Sequence, residues 1–251
     1  MKKKLGQNFL VDENVALREV KHADITKKDT VLEIGSGKGV LTKILAKNAK
    51  EVISVEIDCN LVNELKNCLP GNVMLVNEDV LKIDFNSLPR FNKIVSNLPF
   101  QISSPVTFKL LDYSFELAVL IYQKEFADRM IAIPNSRDYS RLSVGVYYKS
   151  ICEIVENVPK ECFKPQPKVD ACMVKLVPRK KPPFFVYDEK FFLDLTRELF
   201  NHRRKKIRYT INKLFNLNKE TIPFLDERVE NLTPEQVGEL SNILVKKYRC
   251  K

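Results

Sequence analysis

Val31-Leu32-Glu33-Ile34-Gly35-Ser36-Gly37-Lys38-Gly39 is the stretch that decides the fold. The apolar run 31–34 reads as a buried strand and stops at three glycines set every second residue, in a chain that has only seven. Beyond them Val40, Leu41, Ile44 and Leu45 recur at helical spacing, so strand, tight loop and helix are expected in that order. Outward from this unit the pattern repeats. Strand 52–57 is followed by helix 60–68 with Leu61, Leu65 and Leu69 on one face, and then by strand 73–76. Such alternation predicts a parallel sheet covered by helices on both faces, with ligands held beyond the carboxyl ends of its strands.

The glycine spacing selects the ligand class. A dinucleotide loop needs G-x-G-x-x-G, and Val40 follows Gly39 where that pattern fails; a P-loop spacing is absent as well. The pattern present is E-x-G-x-G-x-G, which suits S-adenosylmethionine, with bare backbone open to a bound molecule beside a helix N-terminus. Its partner is Glu56, closing the next strand. A carboxylate about 20 residues past the first glycine is placed to accept from both ribose hydroxyls.

Residues just after the later strands extend the site. Glu78 and Asp79 follow strand 73–76, and Asp79 can accept from an exocyclic amine of adenine or, alternatively, cap a turn. Strand 93–95 runs into Ser96-Asn97-Leu98-Pro99-Phe100, with Ser104 and Pro105 expected as N-cap and first residue of helix 105–112. Pro99 fixes φ and keeps Leu98 out of helix, so carbonyls here stand off any ladder. The Asn97 amide oxygen and a neighbouring carbonyl, that of Leu98, can then accept from one NH₂ group, while Phe100 offers a face on which a base stacks. Two acceptors on the hydrogens of an adenine N6 localise its lone pair toward an incoming methyl, and no strong base is required. The catalytic candidates are therefore Asn97, Leu98 and Phe100.

The 251 residues, 44% of them hydrophobic, suit one large domain and a small one. Six cysteines form no C-x-x-C pair and two histidines cannot complete a metal set with them, so no metal is expected. No run is long enough for a membrane span. Met1-Lys2-Lys3-Lys4 leads into polar residues, so a cytoplasmic protein without a secretory signal is expected. The net charge of +10 calls for a polyanionic partner.

Further along, strand 117–122 precedes an amphipathic helix start at 123–129. Residues 142–151 and 171–177 read as two more strands, with the stiff, basic segment 162–170 between them as an active-site wall or, alternatively, a simple edge loop. After the linker 179–183 strand signals vanish. Arg203, Arg204, Lys205 and Lys206, with Arg208, place five cations in six residues and form the nucleic-acid patch. Thr233, Pro234 and Gln236 mark the last helix by a capping box, with Leu232 against Val237 as its staple.

Gln7-Asn8-Phe9-Leu10, Glu33 with its glycines, Glu56, Glu78-Asp79, Asn97-Leu98-Pro99-Phe100 and Phe163 to Asp170 occur in the order of a known family. The chain resembles the small-subunit rRNA adenine N6,N6-dimethyltransferases of the KsgA type, in their archaeal and eukaryotic branch. The resemblance spans essentially the whole chain. It implies an α/β fold: a Rossmann-like class I methyltransferase sheet over 1–184 and a small all-helical, RNA-binding C-terminal domain over 185–251. It implies transfer of methyls from S-adenosylmethionine to N6 of two adjacent adenosines near the 3′ end of 16S-type rRNA. The partner is then a maturing small ribosomal subunit, and the enzyme a cytoplasmic monomer. By position, Asn8 and Leu10 line the methionine end of the cofactor site, and Gly35, with Gly37 beside it, meets its backbone. Glu56 takes the ribose and Asp79 the adenine, and Asn97 stands between cofactor and target amine. Phe100 is a departure, since the family commonly has Tyr there. The alternatives are a large-subunit rRNA adenine methyltransferase, which can carry Phe, a DNA adenine methyltransferase, or a non-catalytic RNA-binding assembly factor on the same scaffold.

Overall fold

β2 (Thr30–Ile34), the strand that feeds the glycine loop, sits between β3 (Glu51–Glu56) and β5 (Lys93–Asn97) and runs parallel to both. The computed structural model describes residues 7–215 and 222–248; Lys2, Lys3, Lys4 and Gly6 of the basic amino-terminal run, and Cys250, lie outside them. Before β2 come β1 (Phe9–Leu10) and α1 (Glu13–His22). After it α2 (Val40–Asn48), α3 (Cys59–Leu65), β4 (Val73–Asn77), α4 (Ser103–Leu111) and β6 (Leu117–Gln123) complete the alternation.

Among the described residues the main sheet has seven strands in the order β4-β3-β2-β5-β6-β9-β7, where β7 is Ser150–Val158 and β9 is Ala171–Pro178. The strands from β4 to β6 are parallel, and β9 runs antiparallel to β6. Six of the seven residues of β6 are buried, as a strand covered on both faces requires. Chain order reverses between β2 and β5, so a crevice opens beyond their carboxyl ends. α1 and α2 pack one face through Val15, Ala16, Val20, Leu41 and Leu45. Asp12 begins α1 by accepting from the N–H groups of Asn14, at 2.8 Å, and Val15.

A separate short pair lies outside this sheet. β1 is antiparallel to β8 (Phe163–Lys164), with Phe9 opposite Lys164 and Leu10 opposite Phe163. The expected wall segment 162–170 thus pairs with the amino-terminal Gln-Asn-Phe-Leu.

The second core is helical. α6 (Arg141–Lys149), α7 (Glu189–Asn201), α8 (Ile207–Phe215) and α9 (Pro234–Tyr248) enclose Tyr139, Tyr148, Phe192, Leu195, Leu199 and Leu240. The chain divides into two compact units, Met1–Ala127 with Ile151–Pro178, and Asp128–Ser150 with Arg179–Lys251. This partition differs from the linear 1–184 and 185–251 division expected above, because an internal segment joins the helical unit. α5 (Lys124–Met130) leads into that segment.

Two local expectations are corrected. Residues 142–151 are not a strand: α6 occupies Arg141–Lys149, and only the end of the stretch enters β7. Leu142, Ser143, Val144, Gly145, Val146 and Tyr148 of that helix are all buried, so no 3.6-residue polar period was visible. Nor do Ser104 and Pro105 open their helix. α4 begins at Ser103, running on from the 3₁₀ turn Phe100–Ile102, and Pro105 falls inside its first turn, where a missing N–H costs no helical bond. The last helix starts as expected: the Thr233 N–H donates to Gln236 Oε1 at 2.9 Å and the Gln236 N–H to Thr233 Oγ1 at 3.3 Å.

Candidate active site

The loop after β2 turns through positive φ at Gly35 (85°) and Gly37 (53°), which L side chains rarely adopt. A Cβ on Gly37 would stand 3.0 Å from the Phe9 ring, so the absence of a side chain is what lets β1 lie across the loop. The Gly35 N–H donates to Val55 O at 2.7 Å and seats the loop on β3.

Glu56, at the end of β3, is 3% exposed. Its Oε2 accepts the Gly37 N–H at 3.1 Å and its Oε1 accepts the Asp58 N–H at 2.9 Å. Each oxygen keeps lone-pair capacity, so the carboxylate is aligned by backbone and still able to accept two hydroxyls. Glu56 lines one cavity together with Asn8, Leu10, Gly35, Gly37, Asp79 and Asn97. The cofactor candidates thus converge on a single concavity. Leu98 lies buried outside its lining and Phe100 stands half-buried beside it, edge-on to Phe163 at 6.0 Å between ring centroids.

Asn97 is placed tightly. Its Nδ2 donates to Asn8 O at 3.4 Å, while its Oδ1 is buried and accepts no hydrogen bond. A buried amide oxygen left without a donor costs roughly 1–3 kcal/mol. An acceptor maintained at that expense, in a cavity lining, fits a ligand N–H. Asn8 Nδ2 donates to Pro165 O at 2.7 Å, which fastens the amino-terminal segment to the 163–165 wall. Asp79 Oδ1 accepts from the Leu81 N–H at 3.0 Å, so the turn cap is present, and Asp79 also lines the cavity.

Glu33, the acid of the E-x-G-x-G-x-G pattern, anchors a buried network, and two further residues, Glu19 and Lys109, carry no sequence motif. Glu33, 1% exposed, accepts from Thr42 Oγ1 at 2.7 Å and Ser54 Oγ at 2.6 Å. Ser54 spends its proton there, so Ser36 Oγ donates to Ser54 Oγ at 2.6 Å. Burial pushes Glu33 up to about 7, against the Ser54 and Thr42 hydroxyls that lower it, and the Glu56 charge adds to the rise. Behind it Glu19 is fully buried; burial first, then Glu33, raise its pKa well above the ordinary range, against the Ser96 backbone N–H that lowers it. The signal for Glu19 was its place four residues after Val15 on the apolar face of α1. Lys109 of α4 donates to Val80 O at 2.8 Å and to Ile83 O, and so secures the segment that carries Asp79.

The RNA candidates lie in the helical unit and differ among themselves. Arg203 donates through Nε to Glu230 at 2.8 Å, and through its two terminal nitrogens to Arg137 O at 2.6 Å and Ser136 O at 2.9 Å. Lys206 and Arg208 both pair with Asp226. Arg204 and Lys205 form no ion pair among the described residues; Lys205 stands 5.9 Å from the Tyr209 ring centroid.

Residues 1–246 match the model of a family described as ribosomal RNA adenine dimethylase. A protein of Methanosarcina acetivorans named "Probable ribosomal RNA small subunit methyltransferase A" is 46% identical over 253 residues, covering 95% of this chain and 91% of its own. Among solved structures, a dimethyladenosine transferase from Plasmodium falciparum superposes with a TM-score of 0.80 at 30% identity, over 95% of this chain and 98% of that one. The 23S rRNA methyltransferase ErmE gives 0.64 at 26% identity, over 93% and 98%.

Proposed function

The chain belongs to the ribosomal RNA adenine dimethylase family, and from that premise we propose that it dimethylates N6 of two adjacent adenosines near the 3′ end of small-subunit, 16S-type rRNA. The buried, unpartnered Asn97 Oδ1 is the observation that carries this reading. S-adenosylmethionine supplies an electrophilic methyl group when bound. Asn8, Leu10, Gly35 and Gly37 hold its methionine end and backbone, Glu56 accepts from its ribose and Asp79 from its adenine.

Asn97 Oδ1 and the Leu98 carbonyl accept the N6 hydrogens of the target base. Withdrawing those hydrogens from the ring plane concentrates the N6 lone pair on the side of the incoming methyl, and the displaced proton leaves to solvent. After one transfer a single N–H remains to share between two acceptors, so base positioning matters more in the second transfer. Phe100 gives the extruded base a stacking surface, which offsets the few kcal/mol, roughly, that unstacking costs. The helical unit captures RNA through its cations. The protein works as a cytoplasmic monomer on an immature small subunit.

The small-subunit substrate is supported by the 46% identity to a relative so named, against 26% to the large-subunit enzyme. The test is to incubate the purified protein and S-adenosylmethionine with unmethylated ribosomal subunits and map modified adenines by mass spectrometry. Two neighbouring dimethyladenosines near the 3′ end of the small-subunit rRNA are expected. Modification confined to large-subunit rRNA, or none, would refute the assignment.

A further inference from the structure

A hollow of about 490 Å³ in the helical unit is lined by Arg137, Phe200, His202, Arg204 and Lys205 together with Arg203 and Glu230. Arg137 comes from the connection between α5 and α6, far in sequence from the basic run 203–208. The connection is fastened at several points. The Asn135 N–H donates to Glu230 O at 2.8 Å, Tyr139 Oη donates to Leu232 O at 2.9 Å, and Ser143 Oγ donates to Arg129 O at 2.6 Å. Arg203 completes the fastening with all three guanidinium nitrogens engaged, two of them on carbonyls of Ser136 and Arg137 themselves. An arginine so committed has its planar fork turned to the protein.

The consequence is electrostatic. Arg137 is exposed and, like Arg204, makes no ion pair or hydrogen bond through its side chain among the described residues. Exposed cations around one hollow repel one another weakly in water and salt, and an anion that enters relieves that repulsion. We propose that Arg137 completes a phosphate clamp with Arg204 and Lys205 for the RNA backbone, and that Arg203 is the tie that holds Arg137 in place and is itself not an RNA contact. This rests on the RNA-capture reading of the helical unit. It adds a contact that the basic run did not contain and takes one away from it.

The test is the salt dependence of binding to a fluorescently labelled transcript of the small-subunit rRNA 3′ region, read by anisotropy with the full chain. Each phosphate contact contributes about 0.7–0.9 to the slope of log affinity against log salt. Arg137→Gln, Arg204→Gln and Lys205→Gln should each reduce the slope by about that amount. If Arg204→Gln and Lys205→Gln reduce it while Arg137→Gln does not, the clamp is overturned and RNA capture at this surface survives. If none reduces it, RNA capture here fails as well. Glu230→Ala gives the opposing test for the tie. It makes the protein one unit more positive, so a purely electrostatic surface would bind RNA more tightly. Loss of the tie should instead weaken binding about three- to ten-fold, the equivalent of one phosphate contact. Arg203→Gln and Arg137→Gln should be non-additive, because each removes the same contact, whereas Arg204→Gln and Arg137→Gln should add. Tighter binding by Glu230→Ala, or additivity of the Arg203 and Arg137 changes, would overturn Arg203's role.

Discussion

Replacing Glu56 by Gln separates its two tasks. The carboxylate accepts one backbone N–H on each oxygen, from Gly37 at 3.1 Å and Asp58 at 2.9 Å. A glutamine has a single acceptor oxygen, so one of those N–H groups would face an NH₂ donor and lose its bond. In a site only 3% exposed, an unsatisfied donor costs roughly 1–3 kcal/mol. That loss falls on the unliganded protein and is read by thermal unfolding. The ribose is a separate matter. Two charge-assisted bonds of about 1.5–3 kcal/mol each become neutral ones of about 0.5–1.5, a net loss of roughly 2–3 kcal/mol in cofactor binding. Calorimetric titration with S-adenosylmethionine should therefore show affinity weaker by about 30- to 150-fold. The refuting result is specific: a lowered melting temperature with an affinity within two-fold, on the order of error, of the parent. Glu56 would then fasten the glycine loop without binding ribose.

Asn97→Ala removes an acceptor used fully as N6 becomes pyramidal, so turnover should fall about 10²-fold while RNA affinity, measured by anisotropy, changes little. Phe100→Tyr should retain most activity, whereas Phe100→Ala should lose about 5- to 150-fold and accumulate monomethyladenosine in digested rRNA. Glu33 has its folded pKa raised from 4.5 to about 7, so the folded state holds the proton more tightly. Its contribution is fully present below pH 4.5 and is lost as pH rises through about 7, on the order of 3 kcal/mol in all. Denaturant unfolding across that window should decline with pH in the parent and be markedly flatter in Glu33→Gln.

What was legible in the sequence was local. The glycine loop, its acid 21 residues beyond Gly35, and Asn97-Leu98-Pro99-Phe100 are short signals whose geometry is imposed within a few residues, and their cavity assembles from strand ends that a parallel sheet aligns. What was hidden depends on distant pairing. Phe9 covers Gly37 because β1 pairs with a strand at residues 163–164. Residues 128–150 join the helical unit because Tyr139, Val144 and Tyr148 pack into its core, and the burial of most of α6 erases the amphipathic pattern that would have named it a helix. The charge run 203–208 was visible, but Arg203's three bonds to Glu230, Arg137 and Ser136 leave no trace in the run itself.

The pairing of Phe9–Leu10 with Phe163–Lys164 also orders events during synthesis. The glycine loop, Glu56 and Asn97 all emerge from the ribosome well before the strand that secures the cover over them. A nascent chain halted near residue 150 would carry every motif of the cofactor site and still lack the partner of β1. The cover over the glycine loop is therefore the last part of the site whose pairing partner the chain supplies.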